Sequence, residues 1–224
     1  MSSTNGATIR SKISDDYEKT AGYLIYDISE AVGLVMAQQI LFYISHGHGQ
    51  DGDPGAVSGK FVERDLAIKV AEACYKRLLA EPNKTFKTTY PERRMGNGGM
   101  HLWQDNIKTE AYDSKYRVVS VDIHFNAGKG DGMEVWTNSK NKYADELAGY
   151  IESEFKRIGQ NYHGQPTKHD GTLQFLHNAG VAVLVECGFV DNVTDRKLFD
   201  TDKELARMGE AIAKGLITYA KKYD

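Results

Sequence analysis

The sequence predicts an α/β fold: a single domain with a mostly parallel, twisted central sheet flanked by helices. Three observations carry this. Short runs rich in β-branched residues alternate with longer segments of helical period. One run, VAVLVECGFV (Val181–Val190), is apolar throughout, as a strand covered on both faces is. Helical segments between the runs supply the crossovers that parallel strands need. A chain of 224 residues suits one sizeable core better than two.

The first 39 residues stand apart. Met1 to Thr20 is polar and lacks the apolar core of a secretory signal, whereas Leu24, Ile28, Val32, Val35 and Met36 fall roughly on one side of a helix. Residues 1–39 read as an N-terminal extension, a polar tail plus an amphipathic helix. It covers the domain or docks to a partner, another copy of the chain included. Asp27, Glu30, Gln38 and Gln39 interrupt Ala21–Ile44 and argue against a membrane span.

Residues 40–224 form the domain proper. ILFYIS (Ile40–Ser45) is a buried strand feeding a Gly-rich loop. Glu63–Glu81 is a helix with Leu66, Val70, Ala73, Cys74 and Leu78 on one face, stopped by Pro82. Arg93–Met100 is loop-like, and a short helix is expected around Gln104–Tyr112. Tyr116–Ala127 carries the strongest strand signal and Gly132–Thr137 a shorter one. Tyr143, Leu147, Tyr150, Ile151, Phe155 and Ile158 have helical spacing. Leu205, Met208, Ile212, Leu216 and Tyr219 mark a last helix.

Composition narrows the function. Hydrophobic residues make up 41% and charged residues 26%, with a net charge of −3, so no basic excess points to nucleic acid. Two cysteines, Cys74 and Cys187, lie far apart. They exclude a disulfide framework or a cysteine zinc site and read as buried thiols.

Chemistry gathers beyond the carboxyl ends of strands in such sheets. His48 follows the first strand, His124 lies near the end of the second, Glu186 lies within the apolar run, and Glu63 opens a helix. Two imidazoles and one carboxylate, with an open fourth position, make a catalytic zinc site able to acidify water to a pKa of about 7. A carboxylate such as Glu186 inside an apolar strand is costly without a partner. SHGHGQDGDPGA (Ser45–Ala56) has no GxxxxGK[ST] pattern, so it is not a phosphate loop.

The stretches Gly47–Ala56, Glu63 with its helix, DIHFNAGKGDGMEVW (Asp122–Trp136) and AVLVECGFVDN (Ala182–Asn192) occur in that order. Together they resemble the zinc-dependent N-acetylmuramoyl-L-alanine amidases of the "amidase 3" family, over roughly Ile40–Tyr223. The resemblance implies one Zn2+ per chain, held by His48, Glu63 and His124, with Glu186 as the catalytic glutamate. His46 is not used for metal. Asn126 orients the loop or holds substrate, and Glu134 is structural or contacts substrate. Ser45 stands where the family often has an acid, so the support of His48 is expected to differ. Asp122 shares a strand face with His124 and either orients that ligand or points into a polar cleft, the second reading being preferred. His101, His163, His169 and His177 read as surface or cleft residues.

The implied reaction is hydrolysis, by zinc-activated water, of the amide joining N-acetylmuramic acid to L-alanine of the stem peptide. Peptidoglycan is the partner. The FNAGKGDGMEVW stretch also looks like phage and prophage lysins. With no export signal read, synthesis in the cytoplasm and action on the wall after release are expected, for lysis or wall remodelling. Two alternatives stay open: a zinc carboxypeptidase or aminopeptidase on a related sheet, and a non-catalytic peptidoglycan-binding module.

Overall fold

Alternation along the strands organises the domain. In Tyr116–Asn126, Val119, Val121, Ile123 and Phe125 are buried in the main core, while Ser120, Asp122 and His124 lie on the other face. A computed structural model describes residues 39–49, 52–82, 84–90, 116–138, 141–178 and 180–223. The expected N-terminal extension, the loop at Arg93–Met100 and the short helix near Gln104–Tyr112 lie outside the described residues.

The strands are β1 (Gln39–His46), β2 (Val57–Ser58), β3 (Phe61–Val62), β4 (Lys87–Thr89), β5 (Tyr116–Asn126), β6 (Met133–Thr137), β7 (Tyr162–His169) and β8 (Val181–Phe189). The helices are α1 (Glu63–Leu79), α2 (Lys142–Arg157), α3 (Val193–Arg196) and α4 (Asp202–Tyr223), with a 3-10 turn at Gln174–His177. Six strands form one sheet in the order β4-β1-β5-β8-β6-β7; β2 and β3 pair separately. All pairings in the large sheet are parallel except β6 against β8, so the sheet is mostly parallel, as expected.

One face is covered by α1, α2 and α4. Their buried stripes (Leu66, Val70, Cys74 and Leu78; Leu147, Ile151 and Phe155; Met208, Ile212, Leu216 and Tyr219) join Phe42, Ile44, Val121, Ile123, Val183 and Val185 in one core. Asn141 starts α2 by accepting hydrogen bonds from the Tyr143 and Ala144 amides. Both cysteines are buried free thiols inside this core. Among the described residues the opposite face carries two small apolar clusters, Leu41, Tyr43 and Val118 at one side and Phe175, Leu176, Ala182 and Leu184 at the other. Between and beside them lie the polar residues of the site.

Candidate active site

Local chain geometry places each polar group. β1 ends at His46, and the Gly47 amide donates to the Ile123 carbonyl at 2.6 Å. His48 then takes φ 62°, a left-handed conformation that few non-glycine residues adopt and that concentrates at functional sites. The turn presents its Nε2 inward while Nδ1 faces both Asp53 carboxylate oxygens at 3.0 Å. Glu63 is the first residue of α1. Its amide donates to Ala56 O, and its carboxylate accepts from the Ala56 amide at 2.8 Å and the Phe125 amide at 3.1 Å. His124, two residues before the end of β5, turns Nε2 toward Asp122 Oδ2 at 3.0 Å, and Asp122 Oδ1 accepts from Ser45 Oγ at 2.7 Å.

Carboxylates only accept hydrogen bonds, so Asp53 fixes the proton of His48 on Nδ1 and Asp122 that of His124 on Nε2. The second nitrogens, His48 Nε2 and His124 Nδ1, lie 3.1 and 3.0 Å from Glu63 Oε1; each donates to it while protonated and can bind a cation once that proton leaves. Ligand atoms on a tetrahedral zinc with bonds of about 2.0–2.1 Å stand about 3.3 Å apart, so these spacings fit such an ion. Two glycines make room. A Cβ at Gly47 would meet the His124 ring at 2.2 Å, and one at Gly55 would lie 2.5 Å from Glu63 Oε2 and from His48 Cδ2.

The electrostatics agree. Burial works against the Glu63 charge, but hydrogen bonds from His124, His48 and the Ala56 amide hold its pKa down at about 2. Burial also works against a charged His124, yet Asp122 and Glu63 raise its pKa to about 10. The Glu63 hydrogen bond raises His48 against the cost of burial. The negative charge that favours a proton here also attracts a cation, which must displace that proton to bind, and the donor set can hold one ion.

Glu186 pairs with His124 across β5 and β8 and with Glu134 across β8 and β6, so all three share the open face. Glu186 Oε2 is buried without a hydrogen-bond partner among the described residues. Burial, with Glu63 and Glu134 adding to it against the pull of the imidazoles, pushes its pKa up to about 7. Glu134 differs in its partners. It is buried, yet it accepts from Asn126 Nδ2 at 2.9 Å, Trp136 Nε1 at 3.2 Å and the Lys168 ammonium. Asn126 also accepts from the Ala127 amide at 2.8 Å. Glu186, with its Oε2 unpartnered and its pKa raised, can hold or release a proton according to what approaches it.

The turn between β5 and β6 is clamped from the segment after β8. Asp191 accepts from the Gly128 and Lys129 amides, Asn192 donates to Gly130 O, and the buried Asp195 accepts from the amides of Gly132 and Phe189.

The structure corrects one reading. Asp122 does not point into an open cleft: it is buried and holds His124. Support of His48 differs, as the serine at position 45 led one to expect: Ser45 bonds Asp122, and Asp53 braces His48. Strand alternation puts His46 on the helix side, its Nδ1 3.1 Å from Gly47 O. His163, His169 and His177 lie away from the triad, beside Asp131, Thr137 and Gly171 respectively; His101 lies outside the described residues. The Lys168 contact to Glu134 had no signal in the sequence.

Comparison with known proteins agrees with this geometry. The family model described as N-acetylmuramoyl-L-alanine amidase matches residues 43–218. A germination-specific N-acetylmuramoyl-L-alanine amidase of Bacillus subtilis (strain 168) is 24% identical over 191 residues, 80% of this chain and 79% of that protein. Among solved structures, the CwlD amidase from Clostridioides difficile, in complex with the GerS lipoprotein, superposes with a TM-score of 0.65 at 21% identity, covering 83% of this chain and 99% of that one. The catalytic domain of CwlV, an amidase from Bacillus (Paenibacillus) polymyxa var. colistinus, gives a TM-score of 0.66 at 20% identity, covering 83% and 100%. These structures share the fold described above.

Proposed function

The chain belongs to the N-acetylmuramoyl-L-alanine amidase family, hydrolases of peptidoglycan, and from that premise we propose how its own residues carry the reaction. His48 Nε2, Glu63 Oε1 and His124 Nδ1 would hold one zinc ion, with Asp53 and Asp122 fixing the imidazoles. When bound there, zinc supplies a Lewis acid that acidifies water and polarises the scissile carbonyl. Glu186 takes the proton of the attacking water on its unpartnered Oε2 and passes it to the leaving amine. The water oxygen bonds to the carbonyl carbon, the C–N bond breaks, and the products are a free lactyl carboxylate and a peptide with a new N-terminal alanine. Asn126 and Glu134 brace the rim beside Glu186.

The observation that carries this reading is Glu186: its buried Oε2 has no partner among the described residues, and it stands in register with His124, on the same face as the His–Glu–His set. Among the described residues no helix is long and apolar enough to cross a membrane, and the proposed substrate puts the work at the cell wall. Mass spectrometry of purified peptidoglycan digested by the protein tests it. Fragments with a free muramic lactyl carboxylate and N-terminal alanine are expected. Release of single amino acids would favour an exopeptidase, and binding without cleavage a wall-binding module.

A further inference from the structure

The open face continues past Glu186. One row of cross-strand neighbours runs His124, Glu186, Glu134; the row beside it runs Asp122, Leu184, Trp136, Lys168. Among the described residues of the β8-β6-β7 half of this face, Lys168 is the cation. Its side chain is 27% exposed, and its ammonium bonds Glu134 and stands 5.5 Å over the Trp136 ring. The rest of Trp136 packs on the cluster of Phe175, Leu176, Ala182 and Leu184. The ammonium is therefore held in place from below by a carboxylate and an aromatic ring. An ammonium has three donors, and Glu134 takes one.

Direction follows from the reaction, so this step rests on the amidase reading above. The scissile carbonyl lies at the His48, Glu63, His124 set, toward β1 and β5. The leaving amine lies at Glu186. The peptide that the amine begins then runs away from the triad, over β6 and β7. Two strand spacings of about 4.8 Å separate β8 from β7, and the lysine reaches back over the nearer one. Two residues of extended peptide span about 7 Å. The group brought to Lys168 is thus the second residue of the stem. On the glycan side the lactyl carboxyl is consumed in the amide and the remaining groups are neutral, so the carboxylates available to a lysine belong to the peptide.

We propose that Lys168 is a specificity-determining residue that binds a free carboxylate on the second residue of the stem peptide. The test uses the zinc-loaded protein and two muramyl dipeptides that differ only in whether that carboxyl is free or amidated. The free acid should be preferred about tenfold in kcat/KM, the lower end for a hydrogen bond between charged groups, and mainly through KM. Lys168→Met should bring the ratio to about one, and Lys168→Arg should keep it. Equal turnover of both substrates by the unaltered protein, or an unchanged ratio in Lys168→Met, overturns the proposal. So does a Lys168→Met variant in which both substrates fall by the same factor with a lowered melting temperature, because Lys168 then only neutralises Glu134. Cleavage of neither dipeptide by the unaltered protein is a different failure: it removes the amidase reading and this inference with it.

Discussion

The two faces of the sheet follow opposite rules. Toward α1, α2 and α4, side chains from β1, β5, β8 and β6 are apolar and buried except His46 and Thr137 at strand ends, and any apolar one is one of many in a shared core. On the other face the same four strands present Ser45, Asp122, His124, Glu186 and Glu134, each with a specified partner or, at Glu186 Oε2, with none among the described residues. A strand with period two can serve both at once. The helix face supplies free energy without direction. The open face spends some of it on buried charge, which needs exact partners. Damage to one face should therefore appear as lost stability with chemistry intact, and damage to the other as the converse.

The largest effect is expected from the metal. Chelation, His48→Ala or His124→Ala should abolish turnover, and elemental analysis should show no zinc in the variants, while His46→Ala keeps it. Zinc lost from His46→Ala and kept in His48→Ala would put the site on the wrong histidine. Next, Glu186→Gln should lower turnover by roughly a hundred- to ten-thousand-fold, the usual contribution of general acid–base catalysis, with zinc content and melting temperature kept. A near-normal rate would remove Glu186 from the reaction.

The helix face gives the converse. Phe155, fully buried, is expected to cost about 3–5 kcal/mol on change to Ala, read by denaturant unfolding, with zinc bound per folded molecule unchanged. A variant that kept its stability and lost zinc would erase the division between the faces. Asp122→Asn should sit between the two classes: zinc affinity about ten- to a hundredfold weaker, as for other carboxylates that orient a histidine ligand, measured by competition with a chromophoric chelator. Unaltered affinity would make the Asp122 contact to His124 incidental.

The smallest effect concerns a buried carboxylate of the helix layer. Burial raises the Glu152 pKa against the Thr167 hydrogen bond, with Asp145 adding to the shift. Its folded pKa lies above the unfolded value, so its favourable contribution is complete below the unfolded pKa and is lost as pH rises through the folded one. Glu152→Gln should then raise the melting temperature at neutral pH, with the gain vanishing as pH falls through the carboxylate range. A gain that grew toward acid would reverse the sign.

What the sequence disclosed follows the same division. β5, β8, α1, α2 and α4 were legible because burial imposes a period on them. β7 was not: YHGQPTKH carries glycine, proline and two histidines. Proline is tolerated there because, among the described residues, the strand is at the sheet edge, paired to β6 alone. The three-residue β4, at the other edge, was too short to show. His48, Glu63, His124 and Glu186 were legible through motif order; parity put Asp122 on the face of His124 but did not show that it bonds that ring rather than entering a cleft. Lys168 was not legible, since its partner Glu134 lies 34 positions away and no local pattern ties them. The N-terminal extension falls outside the described residues.

The clamp on the turn between β5 and β6 has a consequence for how this enzyme can diversify. Asp191, Asn192 and Asp195 grip only amides and a carbonyl of residues 128–132. They read no side chain there. Lys129 and Asp131 are exposed on a path that is set from elsewhere. Mutation can therefore rewrite what Asp131 offers to a wall polymer while the route of the turn stays as it is, whereas Lys129, at φ 67°, admits fewer side chains without strain. The three clamping residues have no such latitude: they fix a backbone, and a change in any of them shifts the whole turn.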